Sequence, residues 1–232
     1  MGRERVLEMF KRGAKQRPGV AVFDLDSTLF NTGPRNFFIL REFADIYPEL
    51  HPVLDGMDAH RMGYNLAADL EARGVKDSEI LHNLKSFWRE RFFTDAYVEK
   101  DEPYPGALSL VQLAVNAGLI PYYLTGRDLP NMYKGTVESL RKHGFPMEGA
   151  VLRMKPRWED DDATFKQEVI GELEALGEVL VAFENEPYNA NLFKRAFPDA
   201  VVVLHETICA PNPPPLDPGV LCMDSFAPFE GE

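Results

Sequence analysis

Val20-Ala21-Val22-Phe23 runs directly into Asp24-Leu25-Asp26-Ser27-Thr28. Four apolar residues in succession, with no polar alternation, read as a strand covered on both faces, the pattern of a parallel sheet. The abrupt change to two carboxylates and two hydroxyls marks the carboxyl end of that strand. Open parallel sheets gather their ligands at this edge. Four more apolar runs follow, at 119–124, 150–152, 179–183 and 201–204. Helical periodicity fills the gaps at 107–117, 130–143, 162–176 and 189–197, with Gly118, Gly144, Gly177 and Pro198 as stop signals. This succession predicts an α/β fold: an open parallel (Rossmann-like) sheet with helices on both faces.

Between the first run and the second the rhythm breaks. From Asn31 to Asp101 no strand pattern occurs, and helix-like segments cover 36–47, 57–73 and 77–93. About seventy residues of helix are too many for an ordinary connection. They predict a small helical subdomain, residues 34–100, growing out of a core built from 1–33 and 101–232. Tyr104-Pro105-Gly106 returns the chain to the sheet. A tail with five prolines between Ala210 and Gly219 reads as an extended surface loop.

The chain has 232 residues, of which 45% are apolar, enough for a full hydrophobic core and too many for a disordered chain. No stretch of about 18 uncharged apolar residues occurs, so no membrane span is expected. The net charge of −12 opposes nucleic acid and anionic membrane as partners. One basic segment departs from that balance: Arg3, Arg5, Lys11, Arg12, Lys15 and Arg17 stand against Glu4 and Glu8. Val6, Leu7 and Phe10 would give it an apolar stripe, so it reads as an amphipathic helix packed on the core. No apolar run follows Met1, so a secretory signal is not expected. Cys209 and Cys222 imply no disulfide framework, and a reducing cytoplasm is the simplest setting. None of the five histidines is spaced from another, or from a cysteine, as a metal ligand.

Three apolar runs end in chemistry-bearing residues: Asp24 to Thr28, Thr125-Gly126-Arg127-Asp128, and Glu184-Asn185-Glu186. A parallel sheet brings all three to one rim. Clustered carboxylates repel unless a cation compensates them, and an oxygen-only ligand set suits Mg²⁺. A hard cation beside a carboxylate and a hydroxyl suits phosphoryl transfer.

In this context Val22-Phe23-Asp24-Leu25-Asp26-Ser27-Thr28-Leu29 resembles the first motif of the haloacid dehalogenase-like (HAD) hydrolase superfamily, in its phosphatase form DxDxT. Leu124-Thr125-Gly126-Arg127 resembles the second. Two lysines compete for the third: Lys166, at the start of the helical segment 162–176 before the fourth apolar run, is preferred over Lys155, which follows the third apolar run. A helix start also favours a bound anion. The fourth motif departs from the usual pair of aspartates: Glu184 stands at the first position, and Glu186 is the substitute candidate. The resemblance implies a Mg²⁺-dependent phosphatase with a helical cap, acting on a small phosphorylated metabolite. Asp24 would be the nucleophile and Asp26 the general acid and base. Thr125 and Gly126 would hold the phosphoryl oxygens and Lys166 would offset their charge. Mg²⁺ would rest on Asp24, the backbone carbonyl of Asp26, and Glu184. The acid at Asp26 favours phosphate over dehalogenase chemistry. Arg127 and Arg153 are candidates for binding substrate, as are Arg35, Arg61 and Tyr64 in the cap. A catalytically silent phosphate-binding relative and a phosphotransferase are the alternatives.

Overall fold

The computed structural model describes residues 2–13 and 17–231, so Lys15 of the basic segment lies outside the described residues. Helix α1 (Gly2–Arg12) leads into the first central strand, β1 (Gly19–Phe23). A sharp turn then gives the two-residue strand β2 (Phe30–Asn31). The insertion follows, with α2 (Gly33–Ile46), α3 (His51–Leu54), α4 (Leu66–Ala72), α5 (Ser78–Phe92) and α6 (Asp95–Val98). Strand β3 (Glu102–Pro103) closes it by pairing antiparallel with β2, Phe30 opposite Pro103. The core resumes with α7 (Ala107–Asn116), β4 (Ile120–Asp128), α8 (Leu129–Lys142), β5 (Val151–Lys155) and α9 (Asp162–Leu176). It ends with β6 (Glu178–Glu184), α10 (Pro187–Ala196), β7 (Val201–His205) and β8 (Leu221–Met223).

The main sheet has six strands in the order β5-β4-β1-β6-β7-β8, every neighbouring pair parallel. The apolar runs alternate between two cores. Ala21 and Phe23 face α1 and α7, where Val6, Met9, Phe10, Leu110 and Val111 pack. Val20 and Val22 face α9 and α10, against Phe165, Val169, Leu173 and Phe193. Burial on both faces explains why these strands show no polar alternation. The Phe23 and Phe183 rings stack at 5.3 Å and tie β1 to β6 directly below the functional rim. Among the described residues no helix is long and apolar enough to cross a membrane.

The insertion has a core of its own, in which Leu40, Phe43, Leu66, Leu70 and Leu84 are buried together. Its middle segment differs from the single helix expected over 57–73. The helix begins only at Leu66, because Asn65 accepts hydrogen bonds from the Ala67 and Ala68 amides and caps it there. Upstream, the Gly63 amide donates to Asp69 at 2.7 Å, an approach that a Cβ would block. Gly106 returns the chain to the sheet at φ +80°, pressed so closely on the Phe226 carbonyl that only glycine fits.

Strand β8 was not legible in the sequence. Its three residues add to the sheet edge beyond the proline-rich loop, which is tied to α10 by Asn191 and by an Arg195–Asp217 ion pair. Cys209 and Cys222 are both free thiols.

Candidate active site

The first site residues follow from how β1 ends. Hydrogen bonding across the sheet carries one residue past the strand, the Asp24 amide donating to the Phe183 carbonyl at 3.0 Å. The chain then folds back on itself, with the Thr28, Leu29 and Phe30 amides all donating to the Leu25 carbonyl. Ser27 takes φ +60° inside this turn, a left-handed conformation that a side chain resists. The turn swings Thr28 back so that its hydroxyl donates to Asp24 Oδ2 at 2.9 Å.

Lys166, buried in the first turns of α9, donates to Asp24 Oδ1 at 2.8 Å and to Glu184 Oε1. The end of β6 supplies Glu184, whose other oxygen accepts the Asn185 and Glu186 amides. Asp24, Lys166 and Glu184 are all buried. Two carboxylates thus share one ammonium, and one negative charge is left without a partner. Burial, together with the nearby Glu184, pushes the Asp24 carboxyl up to about 7 despite Lys166. Lys155 stands apart, paired with Asp162 at 2.7 Å. Glu186 turns its carboxylate to the Ala210 amide, and burial raises it.

Asp26 is placed differently from its expected role as acid and base. Arg127 donates to both of its oxygens, at 2.9 and 2.8 Å, and Arg35 adds a third bond at 2.7 Å. Both guanidiniums also grip Asp101, at the end of the insertion, and both arginines are buried. The two guanidiniums outweigh burial and hold the Asp26 carboxyl below the usual carboxylate range. In this arrangement the two guanidiniums favour the ionised form of Asp26. Arg35 and Arg127 tie β1, β4 and the insertion together; Arg127 also lines the cavity, where it was expected, whereas Arg35 is not among the cavity's lining residues. Arg35 also donates to the Phe92 carbonyl at 3.0 Å and lies over the Phe92 ring.

A cavity of about 290 Å³ opens between the sheet edge and the insertion. Its floor includes Asp24, Asp26, Thr125, Gly126 and Lys166, so these predicted residues are brought together. Thr125 is fully buried and accepts the Arg127 amide at 3.2 Å. Gly126 lies so near the Asp162 carboxylate that a Cβ would force it to move. Arg153 does not join the cavity: it pairs with Glu172 of α9 on the outer side of the sheet. Arg61 lines a separate depression, whereas Tyr64 stands at the cavity itself.

Sequence reasoning gave no role to Thr28, Asn185 or Asp101. Thr28 sits within the quoted motif, and its hydroxyl, whose one hydrogen is nearer Asp24, also lies 3.1 Å from the Asn185 side-chain oxygen. Asp101 offered one signal, its place where the chain leaves the insertion.

The residues fit a magnesium ion. Mg²⁺ characteristically takes one or two carboxylates and completes its shell with water and phosphate oxygens. Asp24 and Glu184 supply that pair, with an uncompensated buried charge between them. Among the described residues no group of three or more His, Cys, Asp or Glu side chains is arranged to hold a metal. An ion here would rest on this pair and on backbone, phosphate or water oxygens.

No family model matches the sequence, and no curated protein matches it. Solved structures do. The chain is similar to protein tyrosine kinase A (PtkA) of Mycobacterium tuberculosis, with 17% identity and a TM-score of 0.56 over 91% of this chain and 96% of that one. It is similar to CbbY from Rhodobacter sphaeroides, solved with phosphate, with 18% identity and a TM-score of 0.52 over 91% and 96%. A haloacid dehalogenase-like hydrolase from Bacteroides fragilis is similar at 14% identity and a TM-score of 0.54, over 92% and 100%. Taken with the six-stranded parallel sheet, these likenesses give the chain the HAD-like fold that its motifs resemble.

Proposed function

We propose that the protein is a phosphohydrolase that passes the PO₃ unit of a small phosphomonoester to Asp24 and then to water. The observation that carries this reading is the buried Asp24 carboxylate, held between Lys166 and Thr28 on the floor of the cavity. A carboxylate so fixed keeps one orientation and is shielded from bulk water. Its oxygen attacks phosphorus while the bond to the leaving oxygen breaks, giving an aspartyl-phosphate. Water then attacks that phosphorus, the Asp24–phosphorus bond breaks, and inorganic phosphate departs. Thr125 and the Gly126 amide line the cavity where phosphoryl oxygens would sit, and Lys166 supplies positive charge beside them. Asp24, Glu184 and the Asp26 carbonyl would hold Mg²⁺, which when bound neutralises the phosphate charge.

Asp26 keeps the guanidiniums of Arg35 and Arg127 in place. It acts as an acid only where a proton displaces them, so the leaving oxygen otherwise draws its proton from water. The helical insertion serves as the cap that encloses the substrate, and a cytoplasmic setting suits two free thiols.

The test is hydrolysis of p-nitrophenyl phosphate and acetyl phosphate with and without Mg²⁺, in the wild type and in Asp24→Asn. Metal-stimulated turnover that Asp24→Asn abolishes is the expected result. The sequestration of Asp26 favours one second reading, a phosphate-binding relative without turnover. Calorimetric binding of phosphate with no hydrolysis under any of these conditions would establish it instead.

A further inference from the structure

We propose that the group bearing the phosphate is a flat, apolar ring without a second charge, so that the ligand class is a ring-bearing monophosphate. The proposal names the substrate class of the site above and rests on that reading. On the insertion's side the cavity is lined by Trp88, Phe92 and Phe93 from the end of α5. Their ring centroids lie 4.7, 5.5 and 5.1 Å apart, so the three form one packed cluster. All three remain half-buried. Met132 and Ile208 extend the apolar wall from the core side. Such a wall gains by covering another ring, through both burial and ring–ring geometry.

Charge argues the same way. Among the described residues, the side-chain cations lining the cavity are Lys166 and Arg127. Lys166 is held by Asp24 and Glu184, and Arg127 by Asp26 and Asp101. A second phosphate or a carboxylate would find no free cation, and would face Asp162 and Glu186 across the cavity. The volume of about 290 Å³ sits at the small end of ligand sites, which suits one phosphate and one or two rings.

Affinity and turnover test this separately, on the intact protein with Mg²⁺. Calorimetry compares benzylphosphonate with methylphosphonate, which lacks the ring, and with phosphonoacetate, which replaces it by a carboxylate. Benzylphosphonate is expected to bind at least tenfold more tightly than either. Trp88→Ala should remove most of that difference, and Phe93→Leu, which keeps apolar volume, should reduce it even if Trp88→Ala fails to fold. Equal affinities, or tighter phosphonoacetate, would overturn the ligand class. Turnover then compares benzyl phosphate with glucose 6-phosphate and fructose 1,6-bisphosphate, all of which expel a primary alkoxide. A KM at least tenfold lower for benzyl phosphate supports the proposal, and an equal or higher one overturns it. Tight benzylphosphonate binding without hydrolysis of any of the three would sink the phosphohydrolase reading and leave the ligand class standing.

Discussion

Asp24 and Asp26 leave the end of β1 two residues apart, and their carboxylates meet opposite charge conditions. Asp24 shares a single ammonium with Glu184 and is pushed up to about 7. Asp26 takes three hydrogen bonds from two guanidiniums and is driven below the carboxylate range. Burial works against ionisation at both positions, so the number of cations in contact decides between them. The carboxylate short of positive charge is the one that could welcome a metal ion and a phosphoryl group. The other, which with Asp101 is matched two for two by Arg35 and Arg127, becomes a joint holding the insertion to the sheet edge. Two residues of sequence thus separate the proposed nucleophile from a carboxylate that ties the insertion to the sheet.

The largest expected effect comes from removing the reactive member. Asp24→Asn should lower kcat roughly 10⁴-fold or more, the scale seen when a covalent nucleophile is lost. Circular dichroism should stay native, since the amide can still bond Thr28. The corresponding change at the joint should fail in the opposite way. Asp101→Asn or Arg127→Met leaves buried charges unpaired, and breaking such a pair from one side costs about 3–5 kcal/mol. Urea denaturation should show that loss as a lower midpoint, and a loss under about 1 kcal/mol would mean that the network is not holding the two parts together.

The same contrast predicts a pH dependence of stability with a definite sign. The folded-state carboxyl of Asp24 sits at about 7, above its ordinary value of 3.8. Between those values the folded protein binds the extra proton, so this group makes stability fall as pH rises from about 4 to 7. In Asp24→Asn the effect is absent. At pH 8 without metal, the variant should therefore be more stable than the wild type, by something on the order of 2 kcal/mol. The gap should close toward pH 4. Asp26 contributes in the other direction: its stabilisation is present above the unfolded carboxylate value and is lost as pH falls below it. Mg²⁺ should erase the high-pH advantage of Asp24→Asn by stabilising the ionised carboxylate of the wild type.

One side of this contrast was legible in sequence, and the other was not for physical reasons. The strand ends were visible because a strand buried on both faces must be apolar throughout, so the first polar residue marks the rim. Lys166 was preferred over Lys155 through the family resemblance, with its place at a helix start in support, and it is the lysine that reaches Asp24. The joint was not. Arg35, between Pro34 and Asn36, looks like an ordinary helix-surface residue, and nothing local says that Asp101 and Asp26 will receive it. Long-range pairing of single charges leaves no periodic trace. Arg153 fails for a related reason. It precedes Met154 and Lys155 at the end of β5, but its side chain points to Glu172 of α9 and lies over the Phe165 ring. Strand parity decides that, and a run of three apolar residues is too short to fix parity.

The smallest expected effect concerns the turn that follows both carboxylates. Ser27 holds φ +60°, and its carbonyl accepts a hydrogen bond from the Thr207 hydroxyl, so the backbone there is fixed from outside the turn. A side chain in that conformation costs roughly 1–2 kcal/mol. Glycine would relieve this strain but lose about 0.5–1 kcal/mol through the greater freedom of its unfolded chain. Ser27→Gly should therefore stabilise the protein by only about 0.5 kcal/mol, read as a small rise in the denaturation midpoint. The backbone bonds of the turn do not involve the serine side chain, so the Thr28–Asp24 bond should persist and the environments of Asp24 and Asp26 should stay unlike. A Ser27→Gly protein whose stability still falls between pH 4 and 7 as the wild type's does would place the contrast in the cations. Loss of that pH dependence would place it in the strained turn.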